Sequence, residues 1–168
     1  MSGDDRDSGD EDFSIIYPPN SLARKVKKAE GTLDDLLANA ERMVAGMKDE
    51  FEALVDRAVA QLPTIRDQAW RNPDTRSRGI DSFCGIVNVL KGKSGSFGYG
   101  ILGEIADLFR DYLREIPPQE QRAEAISNYI DTLQVVWKQR IAGDGGPVGR
   151  QIVADLSKLN EQASRLPK

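Results

Sequence analysis

The stretch "IVNVLKGKSGSFGYGILGEIADLF", residues 86–109, joins two helix-like segments through a glycine-rich loop. Apolar residues at steps of three and four, which is the spacing of one helix face, precede the loop: Ile80, Phe83, Cys84, Val87 and Leu90. The same spacing follows it: Ile101, Leu102, Ile105, Leu108, Phe109, Tyr112, Leu113 and Ile116. The stretch therefore predicts two consecutive helices with a short connection, the second stopped by Pro117 and Pro118.

A long helix is predicted before this pair. Thr32 is its expected N-cap, accepting from the Asp35 N–H, and Pro63 is expected to kink or end it. One apolar stripe follows the cap: Leu36, Ala40, Met43, Met47, Phe51, Leu54, Ala58 and Leu62. Beyond Pro63, the apolar face continues to about Asn72 through Ile65, Ala69 and Trp70. Asn72 then caps the next helix, with Pro73 as its first residue.

Two helices are predicted after residue 122. The first carries Ala123, Ile126, Tyr129, Ile130, Leu133, Val136, Trp137 and Ile141 and is closed by "GDGGP". The second opens at Pro147 and carries Ile152, Val153, Leu156, Leu159 and Leu166. No alternating strand pattern competes with these helices, and short connections favour antiparallel neighbours. The expected fold is all-α: an up-down antiparallel four-helix bundle over residues 32–142, an N-terminal segment over 1–31 and an accessory helix over 143–168.

Composition excludes several classes of function. The chain has 168 residues, a net charge of −4 at pH 7 and no histidine, and Cys84 is its one cysteine. We therefore expect no Ser-His-Asp or Cys-His catalysis, no metal site and no cofactor. The acidic balance argues against a nucleic-acid partner, and no stretch has the ~18 apolar residues of a membrane span. A cytoplasmic protein that is not an enzyme is the expectation.

The N-terminal 31 residues fall into three parts. The acidic head, residues 1–12, has nothing to bury and is predicted to be disordered. An apolar run at residues 13–17 is expected to pack on the body or to serve as a docking peptide. A basic cluster follows, which is a solvated helix face, a counterion to the acidic head or a contact for an acidic partner: Arg24, Lys25, Lys27 and Lys28.

The helix before the glycine-rich loop has a flank that is not apolar. At about 100° per residue, Asp81, Gly85, Asn88 and Gly92 lie together on that flank. A glycine inside a helix costs about 1 kcal/mol relative to alanine, so two of them need a reason. At Gly85 we expect either tight packing between helices or simple tolerance of the glycine. At Gly92, close approach of a partner surface and a helix terminus are both open.

The same stretch resembles the central motif of histidine-containing phosphotransfer (HPt) domains, the four-helix bundles that pass phosphoryl groups between receiver domains. The matching residues are Leu90, Lys91, Gly92, Gly95, Phe97, Gly98 and Leu102. Asn88 stands where the family carries its phosphorylated histidine. The resemblance implies that Lys91 lies near the phosphate position, that Gly92 leaves room for a receiver, and that Lys93 adds a second charge. It implies a partner-docking set: Asp81, Gly85, Asn88, Lys91, Gly92, Lys93 and Gly95.

Loss of the histidine leaves three functional interpretations. An amide nitrogen has its lone pair delocalised into the carbonyl, so Asn88 cannot carry a phosphoryl group. The first interpretation is a non-catalytic regulator that binds a response-regulator receiver domain or a sensor kinase. The second is a helper of receiver dephosphorylation in which Asn88 orients water. The third is a plain helical interaction or structural protein whose ancestral site has decayed.

Overall fold

The structure is a computed structural model that describes residues 32–165. Within that range it contains five α-helices and no strand. The helices are α1 (Leu33–Arg71), α2 (Pro73–Ser94), α3 (Gly100–Glu115), α4 (Ala123–Lys138) and α5 (Gly146–Ser164), with a 3₁₀ turn at Gly95–Phe97. Over these residues the prediction of an all-α fold is confirmed. The acidic head, the apolar run, the basic cluster and Leu166 lie outside the described residues.

Both predicted helix caps are present. The Asp35 N–H donates to Thr32 Oγ1 at 3.3 Å, and the Thr32 N–H donates back to Asp35 Oδ2 at 2.9 Å. The hydrogen bonds that the Thr32 N–H and the Thr32 hydroxyl donate to Asp35 Oδ2, both 2.9 Å long, lower the pKa of Asp35. At the start of α2, the Asp74 N–H donates to Asn72 Oδ1 at 3.0 Å, and Pro73 is the first helical residue. Local side-chain chemistry thus sets where α1 and α2 begin.

The sequence predicted that Pro63 either ends α1 or kinks it. The first of these outcomes is wrong, because the helix passes through Pro63. It continues to Arg71, because buried Leu62 and Ala69 hold the segments on both sides of the proline. That burial offsets the ~3 kcal/mol that an interior proline costs.

The predicted apolar stripe of α1 is buried only in part. Residues 32–41 belong to one compact unit and residues from Arg42 onward to a second one, and every residue from 32 to 50 is exposed. The buried positions begin at Phe51 and include Val55, Val59 and Leu62. Val55 and Val59 were missed, because the predicted stripe followed a neighbouring row of the helix.

The core of the second unit is aromatic at its centre. Phe109 of α3 stacks on Tyr129 of α4 with ring centroids 4.7 Å apart, and Phe83 of α2 packs on Phe109 at 5.5 Å. Helix α5 adds buried Leu156 to this core. Its Asn160 accepts from the Tyr129 hydroxyl at 2.6 Å and donates to a backbone carbonyl of α3 at 3.0 Å. The α5 helix is therefore tied to both α3 and α4.

Helix α4 ends at Lys138, before the predicted end near Ile141. Arg140 adopts a positive φ of 50°, which breaks the helix ahead of the "GDGGP" segment. The Arg140 guanidinium lies 3.8 Å from the centre of the Trp137 ring, and Trp137 Nε1 donates to Asp56 at 2.6 Å. These contacts hold the end of α4 against α1.

Across residues 32–165, no helix has both the length and the apolar character that crossing a membrane requires.

Candidate functional site

The candidate site is the solvent-facing strip of helix α2. Asp81, Gly85, Asn88 and Gly92 are all exposed, and we refer to these four residues as the α2 strip. The opposite side of the helix is buried and anchors α2 in the core through Ile80, Phe83, Val87 and Leu90. The structure thus brings together four of the predicted docking residues on one accessible face.

The two glycines of the strip face open space. An added Cβ at Gly85 or at Gly92 meets no heavy atom within 4 Å. Of the two expectations at Gly85, tight helix packing is therefore wrong, because the residue lies on the outer side of α2, and simple tolerance agrees with the open space around it. Gly92 lies in the last turn of α2, two residues before the helix ends at Ser94, and the C-cap residue is Gly95. No close approach within residues 32–165 requires a glycine at either position.

Lys91 lies beside the strip but is already paired. Its Nζ is 2.7 Å from Asp107 Oδ1, and the same oxygen is 2.6 Å from a guanidinium nitrogen of Arg110. Arg110 in turn contacts Asp111 at 2.9 Å, and these two carboxylates raise the pKa of Arg110. Two cations and two anions form this chain, so Lys91 presents little uncompensated charge.

Lys93 is the second predicted cation, and it is exposed. Within the described part of the chain it makes no ion pair, unlike Lys91. The sequence interpretation placed Lys91 near the phosphate position and gave Lys93 a second charge at the same helix end, but it missed the pairing of Lys91 with Asp107. The signal available was the spacing of Asp107, Arg110 and Asp111 on one side of α3.

Cys84 lies on α2 close to the strip and is half-buried. Burial raises the pKa of its thiol, and the negative charge of Asp81 raises it further. The thiol is therefore protonated near neutral pH and is a poor nucleophile. Among residues 32–165 there is no cluster of side chains that could hold a metal ion.

The loop after α2 is held by aromatic and backbone contacts. Phe97 stacks on Phe51 of α1 with ring centroids 4.6 Å apart. The Tyr99 hydroxyl donates to Glu52 Oε1 at 2.6 Å, and this hydrogen bond raises the pKa of Tyr99. Gly95 is exposed, with open space at its Cβ position. The loop is therefore fixed on α1, while Gly95 stays accessible next to the last turn of α2.

A pair of backbone hydrogen bonds joins this loop to the "GDGG" segment. The Gly143 N–H donates to the Gly98 carbonyl at 2.8 Å, and the Ile101 N–H donates to the Gly143 carbonyl at 2.7 Å. Gly98 has φ 86°, which favours glycine. A Cβ on Gly100 would lie only 3.0 Å from the Gly143 oxygen. Sequence reasoning matched Gly98 to the HPt motif but missed its contact with a segment 45 residues later.

The side chains of the α2 strip are suited to binding a partner. The Asn88 amide can donate and accept hydrogen bonds, but it offers no free lone pair on nitrogen to carry a phosphoryl group. The exposed carboxylate of Asp81 lies two turns away along α2. Comparisons of the chain with protein families, with curated proteins and with solved structures find no match. The strip is accordingly described by its geometry: a flat, glycine-lined helix face with one central amide.

Proposed function

We propose that this protein is an HPt-like regulator that lacks the phosphoryl carrier and binds a partner through the α2 strip. In this proposal α1–α4 form an HPt-type up-down four-helix bundle, and α5 is an addition to it. The partner is a receiver domain or a sensor kinase of a two-component phosphorelay in the cytoplasm. The protein modulates the relay by occupying the docking surface and transfers no phosphoryl group itself.

The observation that supports the proposal most is the pair of open glycines beside Asn88. In an exposed helix position, glycine loses about 1 kcal/mol of stability relative to alanine. Neither Gly85 nor Gly92 recovers this loss through packing within the described chain, because nothing lies within 4 Å of their Cβ positions. Close approach of a partner surface to the α2 backbone would explain why these two positions are glycine.

Charge at the end of α2 is expected to assist docking. Over residues 32–165 Lys93 forms no ion pair, whereas Lys91 is compensated by Asp107. We expect Lys93 to attract an acidic partner surface over a screened range of about 10 Å. Its contribution is on the order of 1 kcal/mol and falls as salt is added.

Binding tests the proposal directly. A panel of isolated receiver domains and sensor-kinase dimerisation domains is screened for affinity against the full chain and against Gly92→Arg. The arginine side chain fills the open face, and we expect at least a tenfold loss of affinity. Gly46→Arg is the matched control, because Gly46, on α1, is likewise an exposed helical glycine with open space around it. Equal binding by both variants, or no binding by any panel member, refutes the proposed function.

Phosphoryl chemistry is tested separately with labelled phospho-receivers. Wild-type protein should acquire no label, whereas Asn88→His should acquire it if the docking geometry is that of an HPt domain. Label appearing on the wild-type chain contradicts the proposal. Faster loss of label from the receiver, abolished in Asn88→Ala, assigns the dephosphorylation-helper function instead.

A further inference from the structure

A groove of about 310 Å³ lies at the corner where α1 is followed by α2. We call it the corner groove. All of its lining residues belong to one compact unit of the chain, the one that begins at Arg42. Its two sides are formed by three residues of α1 and three of α2: Ile65, Gln68, Arg71, Thr75, Arg78 and Ser82.

The fold holds the corner groove in a fixed shape. Gly79 of α2 is buried, and an added Cβ there would collide with the Cβ of Ala69, so the two helix backbones approach closely at the floor. The Thr75 hydroxyl donates to the carbonyl oxygens of Gln68 at 2.8 Å and of Asn72 at 2.7 Å. These contacts tie the start of α2 to the end of α1, so the groove is formed before any ligand arrives.

The rim of the groove is positive. Arg71 and Arg78 are both exposed, and over the described residues neither side chain forms a hydrogen bond or an ion pair. No acidic residue lines the groove. Of the nearby carboxylates, Asp67 is paired with Arg66 at 2.8 Å, and Asp74 forms no ion pair within the described part of the chain. The two rim arginines are therefore uncompensated.

A third arginine adds to the positive charge at this corner. The Arg76 guanidinium lies 5.2 Å from the centre of the Trp70 ring, and its Nε is buried without a hydrogen-bond partner. Arg71, Arg76 and Arg78 thus lie within eight residues of one another, and none of them has a counterion over the described residues. This concentration of positive charge stands out in a chain whose net charge is −4.

Two other grooves along α1 lack this property. The groove between α1 and α4 is lined by Asp56, which lies 3.4 Å from the guanidinium of Arg140 in the same groove. A second groove contains Arg57, whose Nε donates to the Ala53 carbonyl at 3.2 Å. The arginines of these grooves are already engaged, whereas those of the corner groove are available.

We propose that the corner groove binds an extended acidic segment of a protein partner. Carboxylates of the segment pair with Arg71 and Arg78, because the planar guanidinium matches a carboxylate with two parallel hydrogen bonds. The Asn72 side chain accepts from the Asp74 N–H through its oxygen, so its amide nitrogen is left to donate to the segment.

The dimensions of the groove suit a peptide chain. From Ile65 to Asn72 the groove follows seven residues of α1, or about 10 Å, which is the length of about three extended residues. Ile65 and buried Ala69 offer apolar contacts for the methylene groups of glutamate side chains. A compact inorganic anion would use the arginines but not this apolar floor.

The inference is independent of the proposed function. None of the four residues of the α2 strip lines the corner groove. A failure of either proposal therefore leaves the other untouched.

The experiment follows the backbone amide NMR signals of the full chain during titration with a hexaglutamate peptide up to about 2 mM, a range that detects weak binding. We expect the shifted signals to cluster within residues 65–82, and we expect hexaglutamine to shift none of them. The affinity should fall as salt is raised from about 50 to about 300 mM, because exposed charges are screened.

Arg71→Gln combined with Arg78→Gln should lower the affinity at least about fivefold, since each exposed charge pair contributes a factor of about 2–5. Arg114→Gln combined with Arg122→Gln is the matched control. It removes the same net charge from two exposed arginines that lie outside the groove and form no ion pair over the described residues. The control should bind hexaglutamate within about twofold of wild type, and circular dichroism verifies that both double variants are folded.

Several outcomes overturn the proposal. One is the absence of shifted signals within residues 65–82, and another is an equal loss of affinity in the two double variants, which would show a general effect of net charge. Tripolyphosphate that displaces the peptide and binds at least as tightly would show a site for compact anions instead. Peptide binding that appears only after the acidic residues of the 1–12 segment are neutralised would assign the groove to the same chain and exclude a partner.

Discussion

Replacing Gly85 and Gly92 by alanine should stabilise the protein. Both residues are helical and exposed, neither has a positive φ, and a Cβ at either position touches nothing within 4 Å. Each substitution should add about 0.4–1 kcal/mol, because alanine loses less backbone entropy on folding. The two sites are seven residues, or about 10 Å, apart along α2, so their effects should add to about 1–2 kcal/mol.

Urea unfolding followed by circular dichroism measures the change, and the melting temperature should rise by about 2–4 °C per kcal/mol for a chain of this size. The internal contrast is Gly79→Ala in the same helix. There an added Cβ collides with the Cβ of Ala69 and lies 3.4 Å from the Ala69 Cα. This variant should lose about 1–3 kcal/mol by overpacking. If Gly85→Ala and Gly92→Ala are destabilising as well, the two glycines serve the fold, and the inference of an external partner at the α2 strip fails.

Two further predictions concern pH and backbone strain. The pKa values of Tyr99, Tyr112 and Tyr129 are all raised, by the Glu52 hydrogen bond in the first and by burial in the other two. Their contribution to stability is complete below the unfolded-state pKa near 10 and is lost as pH rises toward the folded-state values, so the urea midpoint should fall above about pH 10. The decline should be shallower in Tyr129→Phe, and a flat profile to pH 11 would contradict the assignment. Arg140→Gly relieves a positive φ that Arg140→Ala keeps, while both lose the contact with Trp137. Chemical denaturation should therefore find the alanine variant less stable than the glycine variant by about 1 kcal/mol, and the reverse order would exclude strain at this position.

Features that depend on neighbouring residues could be predicted from the sequence. The caps at Thr32 and Asn72 are set by a side chain and an N–H two or three residues away, and both are present as expected. The buried side of α2 was also predictable, because helical spacing alone defines it once one residue of the face is known.

Features that depend on distant residues could not be predicted in this way. The continuation of α1 through Pro63, where the sequence left an end and a kink both open, depends on burial on both sides of the proline. The pairing of Lys91 with Asp107 depends on where α3 crosses α2. Periodicity in one segment carries no information about these long-range choices. The docking function of the α2 strip remains a prediction that only binding experiments test.

The hydrogen bonds between Gly143 and the loop before α3 bear on how the protein can be shortened. A recombinant fragment cut after residue 142, to isolate the four N-terminal helices, would lack the carbonyl that receives the Ile101 N–H. The beginning of α3 would then have an unsatisfied donor, and the glycine-rich loop beside the α2 strip would lose its anchor. Fragments meant for partner screening should therefore extend through α5, since a shorter one risks losing binding for reasons of architecture rather than recognition.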